Sequence, residues 1–588
     1  MMSRRFSTTV LILWGSIASV ANTWAQSPLG CSVTDEAMLW VSPRSPEPGD
    51  PIKIKGVSTA GDADELVLID AQGVERSLKS HPRGGPPWSL TAELERWSSN
   101  DRIEMRHHGS TLACASIADA STVSVSHGWT RPVEAFYAAW VEELFDAPIE
   151  QNLSFKSLEP VIRSPERNFL HGHLGNQEDN RLPADPDCAD LPYYLRTYFA
   201  WKIGLPVSFR ACDRGTSGRA PNCGAPTLDD RFTRGIGSQA SFTSLMRQIA
   251  NVVHSGSART DLEAERTDFY PVPLEREALW PGTVYADPYG HTLIIAKWLP
   301  QTDSASGVLL AADAQPDNSV ARKRFWEGNF LFANLASAGP GFKQFRPILN
   351  RGGDFEILTN KALLNEGSVA PYSQEQESLD DEAFYARVGK VINPEGLAPT
   401  QAYLQMLEAL MEQLETRVVS VDTGERYMNQ HRGSVITMPS GAGIFEAMGP
   451  WEDFATPSRD MRLLIAIKVI LALPHQILIH PELFKLNGQS PNDAKDEVEQ
   501  LLQQSLSERH INYQRSDGSS WALSLADVFN RRQAFEIGYN PNDCVEVRWG
   551  AAPSSEEAQT CTRHAPPDQA SKLQQYRPWF SHTQRPSR

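Results

Sequence analysis

Seven cysteines behind an export-like leader set the tightest limits on what this chain can fold into. Arg4 and Arg5 give a positive n-region, Thr9 to Ala21 an apolar h-region, and Thr23-Trp24-Ala25 a cleavage site before Gln26. Residues 1–25 therefore read as a signal peptide, and the mature chain is expected to be secreted or periplasmic. Cysteines pair in such a compartment. Cys31 and Cys114 bracket one prospective domain, while Cys212 with Cys223 and Cys544 with Cys561 are close local pairs. Proximity and domain membership predict these three disulfides, Cys31–Cys114, Cys212–Cys223 and Cys544–Cys561, and leave Cys188 over. An odd cysteine in an exported protein is a reactive thiol or a buried spectator. Its position before a helix, preceded by Asp187, favours the first.

The 588 residues exceed what one core usually serves and imply about three domains. Once the leader is set aside, no segment reads as long enough to span a bilayer. Loss of Arg4 and Arg5 takes the formal charge from −17 to −19. Such acidity should repel nucleic acid and anionic membranes, and no basic stripe with interleaved aromatics reverses it.

The expected architecture is α+β and multidomain. Over 26–124, β-rich runs such as Ala37–Val41, Pro51–Val57, Leu66–Ile69 and Arg102–His107 alternate with turn clusters. Their spacing fits an immunoglobulin-like sandwich stapled by Cys31–Cys114. Residues 125–320 form the second expected domain, and 321–588 a mixed, mainly helical third. In that third, Thr400 opens an amphipathic helix, Thr456-Pro457 another, and Leu463–Leu473 reads as a buried helix ending before Pro474. Gln374–Glu382 reads as solvated surface or linker, and the tail after Cys561 as loosely ordered. His171-Gly172-His173 and His107-His108 lack further ligands at metal spacing, so both read as solvated loops and no metal site is assigned.

The chemistry concentrates in the middle. Leu191, Leu195, Tyr198 and Phe199 recur at helical spacing after Cys188, and Gly204 and Pro206 supply stop signals. Downstream, Gly290-His291 stands at the mouth of the apolar strand Thr292–Trp298, and Gly307 to Ala312 leads into Asp313-Ala314-Gln315. A thiol before a helix, an imidazole on a strand and a carboxylate or amide on the next can form nucleophile, base and orienter. Asp313 is the preferred orienter; Gln315, on the same face by period two, is the runner-up. Pro192 would cost a hydrogen bond if the helix began at Cys188, which makes Asp190 the expected N-cap. Arg214 and Arg219, on the loop enclosed by Cys212 and Cys223, are candidates to meet a substrate carboxylate.

Over about residues 150–320 these pieces resemble the papain-like cysteine superfamily, in its bacterial transglutaminase-like and NlpC-type branches. The resemblance rests on Cys188 with its helix to Gly204-Leu205-Pro206, then Gly290-His291, then Asp313. It implies a thiol hydrolase or acyltransferase acting on amide bonds of peptides or cell-wall peptides, without metal or organic cofactor. No glutamine precedes Cys188 closely, so oxyanion donors would have to be backbone N–H groups. The rival expectation, from a different class, is a non-catalytic envelope or binding protein that keeps the shell as a scaffold.

Overall fold

The N-terminal region forms eight short strands: β1 (Ala37–Ser42), β2 (Ile52–Ser58), β3 (Glu65–Ile69), β4 (Glu75–Ser77), β5 (Ser80–Arg83), β6 (Trp88–Leu94), β7 (Arg102–His107) and β8 (Ser110–Ser116). They pair antiparallel into two sheets, β1-β2-β6-β5 and β4-β3-β7-β8. Ile54, Leu66, Leu90, Ile103 and Met105 share one core. The structure, a computed structural model, describes residues 36–117, 127–175, 177–235, 237–303, 305–445 and 449–586. Cys114 is disulfide-bonded; its expected partner Cys31 and the expected signal peptide lie outside the described residues.

The central region follows with β9 (Ser154–Phe155), β10 (Val207–Cys212), β11 (Cys223–Asp229), β12 (Phe269–Pro271), β13 (Val284–Ala286), β14 (Thr292–Leu299), β15 (Val308–Ala314), β16 (Val320–Arg324) and β17 (Gly341–Phe345). β10 and β11 form a hairpin closed by the Cys212–Cys223 disulfide. The other seven make one antiparallel sheet in the order β12-β17-β13-β14-β15-β16-β9. The sequence reading ends this domain at 320, but the sheet runs on through β16 and β17. Strands of three to five residues carry too little pattern to be seen in advance. Ile294, Ala296, Ala312 and Ala314 share a core with the helices Arg131–Leu144 and Asp190–Ile203. Leu293, Ile295, Leu309 and Ala311 belong to a second core with Phe342 and Phe384. Being buried on both faces explains the continuous apolar run of β14.

The sandwich is docked on this body. Met38, Trp40 and Val57 enter the helix-side core, and Trp40 packs on Phe136 and His173. Lys55 is fully buried and pairs with Glu143. His173, expected on a solvated loop, is also fully buried, with Nδ1 3.0 Å from Ser42 Oγ.

The C-terminal region is mostly helical. Pro399–Gln430, Pro457–Ile479 and Pro491–Glu508 bury Leu407, Leu410, Leu414, Ile467, Ile470 and Val498 against one another. Pro474 does not end its helix, which continues to Ile479. By length and hydropathy, Pro450–Ile479 alone among the described residues would suffice to cross a membrane, and half of its most apolar window is buried inside the protein. The tail is more ordered than expected. Pro567–Ser581 is a helix whose Leu573, Tyr576 and Phe580 are buried on one face, and Cys544–Cys561 holds the segment before it. Gln374–Glu382 is no free linker either. Gln376 is fully buried, accepts from Phe342 N–H and donates to the Val272 and Phe342 carbonyls.

Candidate active site

Cys188 is the free cysteine among the described residues and is half-buried. Helical bonding at this point starts earlier than the sequence predicts. Leu191 N–H donates to the Asp187 carbonyl, and Asp187 Oδ1 accepts the N–H groups of Ala189 and Asp190 at 2.8 and 2.9 Å. The helix Asp190–Ile203 has Ala189 at its N-cap, one residue earlier than expected; Cys188 lies just before it, as expected, in a turn where the Asp187 side chain takes two N–H groups. The bond forfeited at Pro192 is tolerated because the Asp187 side chain takes two of the free N–H groups beside it. Those two donors are thereby spent and do not point to an oxyanion. The C-terminal stop is as expected, with Gly204 at φ 84°.

This capping also sets the electrostatics. Burial of the thiol and the neighbouring Asp187 carboxylate push Cys188 up to about 12, against a hydrogen bond from the Thr292 backbone N–H. The sulfur is a neutral thiol at neutral pH, not a helix-stabilised thiolate. Burial and Asp187 likewise raise Asp190 to about 7.

Thr292, whose backbone N–H acts on the thiol, follows His291 in the chain. The imidazole, 15% exposed, meets Asp313 Oδ2 through Nε2 at 2.8 Å. The same oxygen accepts from Gln315 Nε2 at 2.7 Å and Lys323 Nζ at 2.8 Å. Burial opposes ionisation of Asp313, but Lys323 and His291 hold it well below the usual carboxylate range. An ionised carboxylate only accepts, so His291 Nε2 donates to it; in the neutral imidazole Nδ1 then holds the lone pair. No hydrogen bond to that Nδ1 is found among the described residues.

The two orienter candidates are thus resolved into different parts. Asp313 holds the imidazole, and Gln315 props Asp313. Lys323 is a partner that sequence reasoning missed, although its place two residues beyond Ala321, which is paired with Asp313 in the register, is a cross-strand diagonal. Period two sets Asp313 and Lys323 on the face away from the Cys188 helix, because Ala312 and Ala314 turn towards that helix. Arg459, from the helix Pro457–Ile479, feels Asp313 there.

Arg219 is tied to Asp213 Oδ2 at 2.8 Å, and Arg214 is exposed on the same loop. A cavity of about 370 Å³ adjoins the turn before His291; Ser217, Pro288, Tyr289, Arg259 and Arg585 line it. Its two guanidiniums come from segments with no signal in the sequence. Comparison with protein-family models, with curated proteins and with solved structures found no match to this chain.

Proposed function

We propose that the protein is a thiol hydrolase or acyltransferase acting on peptide amide bonds. Cys188 is the nucleophile, His291 the base and later the acid toward the leaving amine, and Asp313 the orienter. The observation that supports this reading is the Asp313-held His291, the residue before Thr292, whose backbone N–H acts on the free thiol. Since Asp313 stands on the face away from the Cys188 helix, the reading requires the imidazole to reach the thiol round the mouth of β14. Because the thiol rests neutral, its proton must pass to His291 Nδ1 as sulfur attacks, and no preformed ion pair supplies the thiolate. The acyl group then goes to water or to an amine. Peptide or cell-wall peptide substrates follow from the resemblance, and the Arg259–Arg585 cavity suits a carboxylate on such a chain.

The surrounding domains agree with this setting. The strand order β1-β2-β6-β5 facing β4-β3-β7-β8 supports an immunoglobulin-like sandwich, and helix, histidine strand and aspartate strand in that order support a papain-like core. The disulfides Cys212–Cys223 and Cys544–Cys561 fit an oxidising, secreted or periplasmic compartment.

The scaffold reading has its own observations: a thiol pushed up by burial, capping N–H groups already spent, and an aspartate clamped by Lys323. Alkylation of the native protein decides between them. At pH 8 Cys188 should label at least about ten-fold more slowly than a free cysteine, since few thiolates form even after their greater nucleophilicity is counted. As an acid raised by burial, it should label faster as pH climbs towards 12. His291→Ala should slow labelling at neutral pH by a further order of magnitude if the imidazole accepts the proton. Labelling only after unfolding, indifferent to His291→Ala, would establish the scaffold.

A further inference from the structure

The sandwich carries a second cluster of ligating side chains, remote in sequence from the thiol. β7 turns into β8 through His108 and Gly109, both with positive φ, 47° and 78°. Successive strand residues normally face opposite sides. The left-handed backbone at His108 instead folds its ring back over His107, with centroids 4.2 Å apart. β3 pairs with β7, and the residue before it, Asp64, donates its N–H to the Arg106 carbonyl at 3.0 Å. This brings the Asp64 carboxylate to the turn. Oδ2 accepts the His108 backbone N–H at 2.8 Å and lies 3.3 Å from His108 Nδ1.

One donor atom from each of Asp64, His107 and His108 lies within 4.8 Å of the other two. A separate observation concerns His107, whose Nδ1 is shielded from solvent and has no hydrogen-bond partner. A shielded ring nitrogen without a partner is costly unless something ligates it. The histidine pair alone lacks a third ligand in the sequence; folding supplies it from 43 residues upstream.

We propose that Asp64, His107 and His108 form a divalent transition-metal site of the Zn²⁺ class. Two imidazoles and one carboxylate suit zinc and its neighbours, whereas Ca²⁺ and Mg²⁺ ask for oxygen ligands throughout. Ligand pairs around a tetrahedral ion bonded at about 2.0–2.1 Å stand a little over 3 Å apart, which the 3.3 Å between Asp64 Oδ2 and His108 Nδ1 matches. Coordination would give the His107 ring a partner and replace the Asp64–His108 contact. The remaining positions face solvent, because Asp64 and His108 are 43% and 82% exposed. They are open to water or to a donor from another molecule.

The test is Zn²⁺ titration of the tag-free, disulfide-intact chain by calorimetry, repeated with Co²⁺ to read the visible ligand-field band. One equivalent of either metal is expected, with Mg²⁺ unable to compete. Asp64→Asn and His107→Gln should each weaken binding ten-fold or more and change the Co²⁺ band, while unfolding midpoints measured without metal stay put. Binding that survives both substitutions would place the metal elsewhere and overturn the proposal. So would the absence of binding at millimolar Zn²⁺, which would leave an ordinary carboxylate–imidazole contact. Neither outcome bears on the thiol, so this inference stands or falls apart from the proposed activity.

Discussion

Asp460→Ala is expected to destabilise the protein by about 3–5 kcal/mol, the usual cost of breaking a buried ion pair from one side. Asp460 is fully buried and grips Arg417 through two bonds, Nε to Oδ1 at 2.9 Å and NH2 to Oδ2 at 2.8 Å. Arg417 NH2 also donates to the Arg548 carbonyl. The Arg548 guanidinium is itself buried and bonds the Phe454 carbonyl and Thr456 Oγ1. Burial and the nearby Arg417 charge bring Arg548 down to about 9, and Asp460 is the carboxylate that most offsets this. Removing it leaves two like charges in a dry site between the helices Pro399–Gln430 and Pro457–Ile479. Asp460→Asn, which keeps the shape and some hydrogen bonding, should cost less. Urea midpoints of the two variants measure the difference. Equal midpoints for wild type and Asp460→Ala would mean the charge is neutralised in some other way.

The second large effect concerns the proposed amide chemistry. Asp313→Asn should lower amide turnover by about 10⁴-fold, the scale seen when the group that fixes a catalytic imidazole is neutralised. An asparagine can present N–H to Nε2, which forces the proton to Nδ1 and leaves that nitrogen without a lone pair to accept the thiol proton. Lys323→Met is the matching control. It removes the competing cation but leaves His291 bonded to Asp313, so it should change turnover far less and shift its acid limb. Asp313 is held low by Lys323 and His291. Its contribution to stability is present above the ordinary carboxylate range and is lost as pH falls through its lowered value. Weakening that hold by Lys323→Met should therefore bring acid inactivation to higher pH. Turnover of a peptide amide by wild type, Asp313→Asn and Lys323→Met across pH 4–9 reads all of this. Equal rates in wild type and Asp313→Asn would remove Asp313 from the mechanism.

What was legible in the sequence follows from how local each cause is. Arg102–His107 forms a strand over the very span its alternation marks, and the 190s helix stops at Gly204 because only a glycine takes φ 84° without cost. The local disulfides Cys212–Cys223 and Cys544–Cys561 were legible for the same reason. His291 with Asp313 was legible because strand mouths in neighbouring strands present their residues side by side. The turn that the Asp187 side chain ties before the helix was not, because it lies in side-chain bonds to the Ala189 and Asp190 N–H groups. Gln376 and the Asp64–His108 contact depend on pairings between distant segments, which no local period encodes, and Lys323 depends on the β15–β16 register, which strands this short do not announce.

The order of the central sheet has a consequence for how the chain can be made. β17, residues 341–345, lies between β12 and β13, residues 269–286, so a late segment must slot between two earlier ones. During synthesis the thiol helix and the histidine strand emerge well before their sheet can close. A truncated product ending near residue 320 would leave raw hydrogen-bonding edges on both β12 and β13, and it should aggregate rather than fold into a smaller stable domain.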